Sequence, residues 1–235
     1  MGQKVHPKAF RLGVISSWDS KWFARGRRYA QMLRQDVEIR KFLRNKLRDA
    51  SVAKVEIDRN PNILAITLHT GKPGVIIGRG GSGAEELRRV IEKKFLRTKG
   101  TKLNLSIKEV EHPLSSAQIV AQNIALEIER RLPFRRTMRR ALEQVMKTSG
   151  VVGAKVALSG RLDGAEIARR EILSRGKIPM HTLRTNIEFG RTVAVTTYGT
   201  VGVKVWINHG EVFNTDEIQK SKIKNQNDGV PHRGT

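Results

Sequence analysis

The residues from Gly74 to Gly83 are the stretch of this sequence best suited to binding chemistry, since five of the ten are glycine and leave the backbone open. One pattern in it is Gly-X-X-Gly, from Gly78 to Gly81, whose backbone can clamp nucleic acid. Another is Gly-X-Gly-X-X-Gly, formed by Gly78, Gly80 and Gly83, which can cradle a dinucleotide. A tight turn without a ligand is a third possibility, because glycine is the default residue wherever φ is positive.

The elements that must position this loop help to separate the alternatives. Apolar spacing predicts helices over residues 36–49 and 84–98, and strands over residues 52–59, 63–68 and 102–108. A dinucleotide fold needs a buried strand directly before its glycines and an acidic residue about twenty positions later. Only Val75 to Ile77 precede the loop here, as a helical turn or a brief strand, and the strand-end acids Glu109 and Glu111 come late. This order of elements favours the interpretation that the loop binds nucleic acid over the one that it binds a dinucleotide.

The expected contacts of the loop follow from the Gly-X-X-Gly interpretation. Two helices would meet at a loop with few side chains, so the backbone could approach a phosphate and the next helix would present its amides. The candidate residues are Ile77, Gly78, Arg79, Gly80 and Gly81.

The composition points to the same class of ligand. The chain has 235 residues, with 45 Lys and Arg against 22 Asp and Glu, which gives a net charge of +23. Hydrophobic residues make up 38% of the chain, enough to pack one large or two ordinary domains. So large a basic excess is more than solubility needs, and it indicates a folded protein that binds a polyanion.

Several other classes of protein do not fit the sequence. Cysteine is absent and the six histidines are scattered, so no metal site, cofactor or disulfide is expected. No apolar run approaches the length of a membrane span, and the first residues do not resemble a signal peptide. A reducing, non-membrane compartment is therefore expected, with no catalytic residues assigned.

Residues 1–35 are predicted to form a basic arm. Residues 1–50 contain 13 Lys and Arg against 4 Asp and Glu, interleaved with Gly, Pro and Trp. Such mixtures wrap polyanions and stack on bases. Trp18 and Trp22 either stack on bases or seat the arm on a core, and the sequence leaves both alternatives open. The candidate RNA contacts of the arm are Lys4, Lys8, Arg11, Arg27 and Arg28.

A second domain is predicted over residues 111–213. Ser115 or Ser116 can cap one helix, and Pro133 restarts the chain into another. Six arginines and no acid lie between Arg130 and Arg140, so these helices are expected to face phosphate. The remaining predictions are a helix over residues 165–174 and strands over residues 155–159, 187–189, 192–198 and 201–207. Residues 214–235 have few apolar residues and are expected to form a flexible tail.

The first half of the chain resembles a known RNA-binding module. The residues that carry the resemblance are Ile76-Ile77-Gly78-Arg79-Gly80-Gly81 and the following Leu87, which are similar to the signature of the KH domain. The helix-strand-strand order before them is similar to the second KH type. Gly83 and Ala84 stand where KH helices usually place bulkier residues, which is expected to loosen the first turn of the helix. The resemblance implies a type II KH domain over residues 36–110.

The second half resembles one family in particular. Its motifs are Ser159-Gly160-Arg161-Leu162-Asp163-Gly164-Ala165-Glu166-Ile167-Ala168-Arg169, His181-Thr182-Leu183-Arg184 and Thr196-Thr197-Tyr198-Gly199. Together with the N-terminal residues 1–7, these are similar to the third protein of the bacterial small ribosomal subunit. The implied fold is α+β: the KH domain, with helices on a three-stranded sheet, and then an α/β domain with two helices against a mixed or antiparallel sheet.

That resemblance also implies a function. Family members are structural proteins of the subunit head that bind small-subunit ribosomal RNA and line the channel through which messenger RNA enters. Arg135, Arg136 and Arg139 match the family residues that assist the unwinding of structured messages. The implied neighbours are the tenth and fourteenth small-subunit proteins, with no homo-oligomer, in the ribosome of the cytoplasm.

Two other functions remain as alternatives. One is a dinucleotide-dependent enzyme that uses Gly78, Gly80 and Gly83. The other is a free KH-type regulator that binds messenger RNA. Salt dependence separates the first from an RNA binder, because contacts with RNA phosphates weaken steeply as salt rises.

Overall fold

The computed structural model of the protein describes residues 4–96 and 102–213. The predicted tail, residues 214–235, lies outside the described residues. Two α+β units follow each other along the chain, as the sequence predicts. Among the described residues, no helix has both the length and the apolar character needed to cross a bilayer.

The first unit contains the arm and the KH-like domain. Its elements are α1 (Pro7–Phe10), β1 (Ser20–Lys21), α2 (Gly26–Lys46), β2 (Val52–Asn60), β3 (Ile63–Thr70), α3 (Pro73–Ile77), α4 (Ser82–Phe95) and β4 (Lys102–Glu109). Strands β2 and β3 are antiparallel, whereas β3 and β4 run parallel. Parallel neighbours need a crossover connection, and helices α3 and α4 supply it between β3 and β4.

Helices α2 and α4 cover one face of this sheet. Their buried residues and those of the strands form one core, with Ile39, Leu43, Ile57, Ile66, Leu68, Leu87 and Ile91 among its members. The expected three-stranded sheet is present, and it gains a two-residue fourth strand because β1 of the arm pairs in parallel with β2.

The second unit is built on an antiparallel sheet. Its elements are α5 (Ala117–Glu129), α6 (Phe134–Lys147), β5 (Gly153–Gly160), β6 (Arg169–Gly176), β7 (Thr185–Thr196) and β8 (Gly199–Glu211). The strand order is β6-β5-β8-β7, and each neighbouring pair is antiparallel. Helices α5 and α6 pack on one face and share a core with the sheet. This arrangement confirms the predicted fold class.

The prediction of a helix over residues 165–174 is wrong. That stretch enters the edge strand β6, whose residues pair with β5 from Gly160–Arg169 to Gly153–Gly176. Ile167 and Ile172, which a helix would have buried, are 83% and 43% exposed. Pairing with β5 therefore outweighs the helix propensity of the local sequence.

Two other boundaries differ from the prediction. Helix α2 begins at Gly26 rather than near residue 36, so Arg27 and Arg28 lie on a helix and not on an irregular arm. Residues 26–31 are exposed, which leaves no apolar periodicity to reveal the helix there. Residues 187–198 do not form two strands, because β7 runs unbroken through Gly190.

Candidate nucleic-acid interface

The glycine loop joins two helices. Helix α3 ends at Ile77, a single turn of 3₁₀ helix spans Arg79–Gly81, and α4 begins at Ser82. Gly78, Gly80 and Gly81 have positive φ values of 68°, 60° and 83°, a region that residues with side chains rarely adopt. The loop therefore requires glycine at these positions for its shape.

The same loop is open to a ligand. A β-carbon added at Gly80 or at Gly81 would have no atom within 4 Å, so the backbone there faces free space. Ile77, Gly78 and Arg79 are exposed as well. No side-chain hydrogen bond caps the N-terminus of α4, although the Ser82 amide already donates to the carbonyl oxygen of Arg79. A phosphate could approach this backbone closely.

Gly83 has a packing role that the sequence analysis did not predict. A β-carbon on Gly83 would lie 2.7 Å from the carbonyl oxygen of Ile76 and 3.1 Å from that of Ile77. The glycine therefore lets the first turn of α4 pack against α3. The glycines also follow helix α3 rather than a strand, an arrangement unlike the strand-to-helix turn of a dinucleotide site.

The arginines of α6 lie on the side of the helix that faces away from the core. Phe134, Met138, Leu142 and Val145 are buried, whereas Arg135, Arg136 and Arg139 are all exposed. The three predicted residues thus share the solvent side of the first turns of one helix. Arg135 has one acidic neighbour, with its Nη2 3.7 Å from Oε1 of Glu171, and an exposed pair of this kind contributes little.

A fourth arginine joins this cluster from another element. Arg169 of β6 and Arg135 of α6 each place the guanidinium carbon 5.6 Å from the ring centre of Phe134. The buried ring therefore contacts guanidinium groups from two different elements, α6 and β6. Sequence analysis missed Arg169 in this role, because the wrong helix over residues 165–174 separated it from α6.

Of the predicted contacts in the arm, Arg11 is not available to RNA. Its residue is 1% exposed, and Nη1 donates to the Pro7 carbonyl at 3.0 Å. Nη2 donates to the carbonyl oxygens of Pro179, Met180 and Thr182 at 3.3, 3.1 and 2.9 Å. Arg11 therefore ties the arm to the second domain, which corrects the prediction.

The other predicted RNA contacts of the arm differ in their exposure and in their ionic partners. Lys4, Arg27 and Arg28 are exposed. Lys8 is half-buried and its Nζ lies 2.7 Å from Oδ1 of Asp19. Burial acts to raise the pKa of Asp19, but Lys8 and Lys54 outweigh it, so that this pKa lies below its ordinary value. The charge of Lys8 is thus largely balanced within the protein.

A buried carboxylate that the sequence analysis missed fixes the arm to the KH domain. Asp36 is 2% exposed and accepts hydrogen bonds from Trp22 Nε1 at 2.7 Å and from Arg59 Nε at 2.8 Å. Trp22 is therefore seated on the protein, whereas Trp18 is 69% exposed. A signal existed in the sequence, because an acid at position 36 lies in helical phase with the buried Ile39 and Leu43.

A second ionic cluster lies on the sheet of the KH domain. The close approach of His69, whose Nε2 is 3.5 Å from Oε2 of Glu56, is the main cause that holds the pKa of Glu56 well below its usual range. Burial opposes this effect and Lys54 reinforces it. Glu56 therefore stays ionised and supports Lys54, which in turn lies 3.3 Å from Asp19 of the arm.

The fold and the loop define a protein with a KH domain. Residues 38–114 match the family model described as KH domain, and residues 124–207 match the one described as Ribosomal protein S3, C-terminal domain. Small ribosomal subunit protein uS3 of Syntrophomonas wolfei is 48% identical over 213 residues, which cover 91% of each chain. The uS3 protein of Carboxydothermus hydrogenoformans is 45% identical over 226 residues, 96% of this chain and 99% of that one.

The chain therefore belongs to the uS3 family of small ribosomal subunit proteins. It is an RNA-binding structural constituent of the small subunit, and it works in the ribosome of the cytoplasm alongside the subunit's RNA. This family is not a family of enzymes, so the dinucleotide alternative is set aside. A free KH-type regulator is also set aside, because the chain belongs to a family of ribosomal proteins.

Proposed function

We propose that this protein holds ribosomal RNA in the head of the small subunit and lines the channel through which messenger RNA enters. In this proposal, Arg135, Arg136 and Arg139 grip the incoming message and assist the unwinding of structured regions. The KH loop and the exposed cations of the arm hold ribosomal RNA. The tenth and fourteenth small-subunit proteins are the proposed neighbours in the head.

The observation that carries the proposal is the way α6 presents its arginines. One side of the helix is locked into the core by Phe134, Met138 and Leu142, so the backbone under the arginines is fixed. The three guanidinium groups project from its first turns into solvent. A rigid row of cations suits a surface past which an RNA strand must slide.

The chemistry of arginine fits a role in unwinding without a catalytic site. A planar guanidinium binds phosphates and stacks on unpaired bases, and it does so without regard to sequence. Contacts made only with separated strands favour the open state of a hairpin. Movement of the message would be supplied by translocation, so the protein needs no nucleotide site of its own.

The ribosomal RNA part of the proposal rests on the loop and on the charge. Open backbone at Gly80 and Gly81 allows close approach of a phosphate, and Arg79 adds a cation beside it. Lys4, Arg27 and Arg28 are exposed on the same unit of the protein. Each phosphate contact is expected to add about one unit to the salt dependence of RNA binding.

Photo-cross-linking in assembled ribosomes tests the placement of α6. An Arg139→p-benzoylphenylalanine variant is expected to cross-link to messenger RNA downstream of the decoded codon. Lys147→p-benzoylphenylalanine is the matched control, because Lys147 is exposed at the far end of the same helix. Cross-links to the message from position 147 but not from position 139 would contradict the proposal.

A further inference from the structure

Three loops enclose a cavity at one end of the second domain, beside the start of α6. They are the α5–α6 connection at residues 131–134, the turn at residues 161–164 and the β7–β8 hairpin at residues 195–198. The cavity has a volume of about 430 Å³, within the range of small-ligand sites, which is about 300–1,000 Å³.

The walls of the cavity are held in place by the protein. A β-carbon on Gly164 would lie 3.1 Å from Cε2 of Tyr198, so the glycine makes room for the aromatic ring. Arg161 Nε donates to the carbonyl oxygen of Ala165 at 2.9 Å, and the Val195 amide donates to Glu129 Oε1 at 3.0 Å. The site is therefore preformed and needs little rearrangement to accept a ligand.

The lining combines two kinds of chemistry. Val195, Tyr198 and Leu132 line the cavity and are 65%, 57% and 43% exposed, an apolar surface that stays in contact with water. Arg131 and Arg161 are exposed among the lining residues, and Asp163 adds a carboxylate. Such a site suits a flat apolar group with amino groups at its edge and an anion attached to it, which is the description of a nucleotide.

We propose that this cavity holds one unpaired nucleotide of the small-subunit ribosomal RNA. Its base lies between the apolar walls with its edge toward Asp163, and its phosphate lies near Arg131 and Arg161. The proposal rests on the RNA-binding role argued above, but it concerns a different site from the exposed side of α6.

A stationary RNA is favoured over the message for a physical reason. A message must slide past the protein, and a pocket that took up each base would hold it back at every step. The arginines of α6 lie on an exposed helix face, as a sliding strand requires, whereas this cavity is a pocket walled by three loops. A pocket for one base gains most from an RNA whose position never changes.

Cross-linking from inside the cavity tests the occupant. Tyr198→p-benzoylphenylalanine in assembled subunits is expected to cross-link to one or two adjacent nucleotides of ribosomal RNA. Cross-links to messenger RNA, to another ribosomal protein or to residues 214–235 of this chain would overturn the proposal, as would no cross-link. The variant at position 139 is read separately, so failure of the message-channel proposal is distinguishable from failure here.

A filled cavity gives the second test. Val195→Trp places a large side chain at the cavity wall, and Val193→Trp is its control, since Val193 is exposed on the same face of β7 but does not line the cavity. In assembled subunits, chemical probing is expected to show that Val195→Trp exposes a protected unpaired nucleotide. The expected rise in reactivity is roughly tenfold, the scale of one lost base–aromatic stack. Identical reactivity in both variants would overturn the proposal.

Discussion

The carbonyl oxygen of Ile76 lies 2.7 Å from the position that a β-carbon on Gly83 would take. The backbone of the last turn of α3 thus lies directly against the first turn of α4, and Gly78, Gly80 and Gly81 lie between the two. The shape of the loop therefore depends on a half-buried glycine that allows this close packing. Gly83 and Gly81 thus have separable roles, one in packing and the other in access.

Gly83→Ala is expected to lower the stability of the protein by about 1–3 kcal/mol, because the added methyl group overlaps backbone oxygen atoms that cannot move independently. Thermal unfolding of the full chain measures the effect. Gly74→Ala is the control, since a β-carbon there meets no atom within 4 Å. Equal midpoints for the two variants would show that α3 and α4 can separate without cost.

Gly81→Asp is expected to weaken RNA binding more than Gly81→Asn does. Both side chains have the same size and tolerate the positive φ of this position better than most, so the comparison isolates the charge. Affinity for ribosomal RNA and the unfolding midpoint of each variant would be measured together. The same affinity in both variants, at matched stability, would mean that no phosphate approaches the loop.

Arg11→Ala is expected to reduce stability by about 2–4 kcal/mol, since it leaves the carbonyl oxygens of Pro7, Pro179, Met180 and Thr182 without their donor. The salt dependence of RNA binding should stay the same, because the guanidinium does not reach solvent. Lys4→Ala is expected to leave the stability unchanged and to lower the salt dependence of RNA binding, because Lys4 is exposed. A lower salt dependence of RNA binding for Arg11→Ala, at unchanged stability, would show that Arg11 contacts RNA.

Arg11 also shows where prediction from the sequence stops. Its charge and its position in a basic arm predict a contact with RNA, but three of its four partners are backbone carbonyls more than 160 residues away. Backbone oxygens have no signature in a sequence, so this burial could not be read from residue types. The open loop at Gly80 and Gly81, in contrast, was predictable because glycine spacing reports backbone shape directly.

The helices and strands also divide into those that the sequence predicts and those that it does not. Helices α4, α5 and α6 were predicted because each buries one regular stripe of apolar residues, which leaves a period in the sequence. Strand β6 was missed because it lies at the sheet edge with most residues exposed, so neither period stands out. The cavity beside Tyr198 could not be predicted from the sequence either, because its walls come from three loops that are distant in sequence.

Glu56→Gln is expected to lower the unfolding free energy by about 1–2 kcal/mol near pH 7. The folded pKa of Glu56 lies well below the ordinary glutamate value of about 4.3, so its stabilisation is complete above that value and is lost progressively as the pH falls toward the folded pKa. The difference in unfolding free energy between wild type and variant should therefore narrow as the pH falls below about 4. Glu85→Gln, at an exposed position on α4, is the control, and a difference of the same size at pH 3 as at pH 7 would contradict the assignment.

The central claim is that the arginines of α6 act on the incoming message. Ribosomes that carry Arg135→Ala, Arg136→Ala and Arg139→Ala together would be compared with ribosomes that carry Arg34→Ala, Lys41→Ala and Arg44→Ala. The control triple removes the same charge from exposed positions on α2. Failure of the α6 variant to assemble would instead assign its arginines to ribosomal RNA.

The direct measurement is the time each ribosome takes to translate paired messages that differ only in one stable hairpin. The account predicts that the α6 variant is slowed more on the message with the hairpin than on the unstructured one, and that the α2 variant shows no such difference. Equal slowing of the α6 variant on both messages would contradict the account.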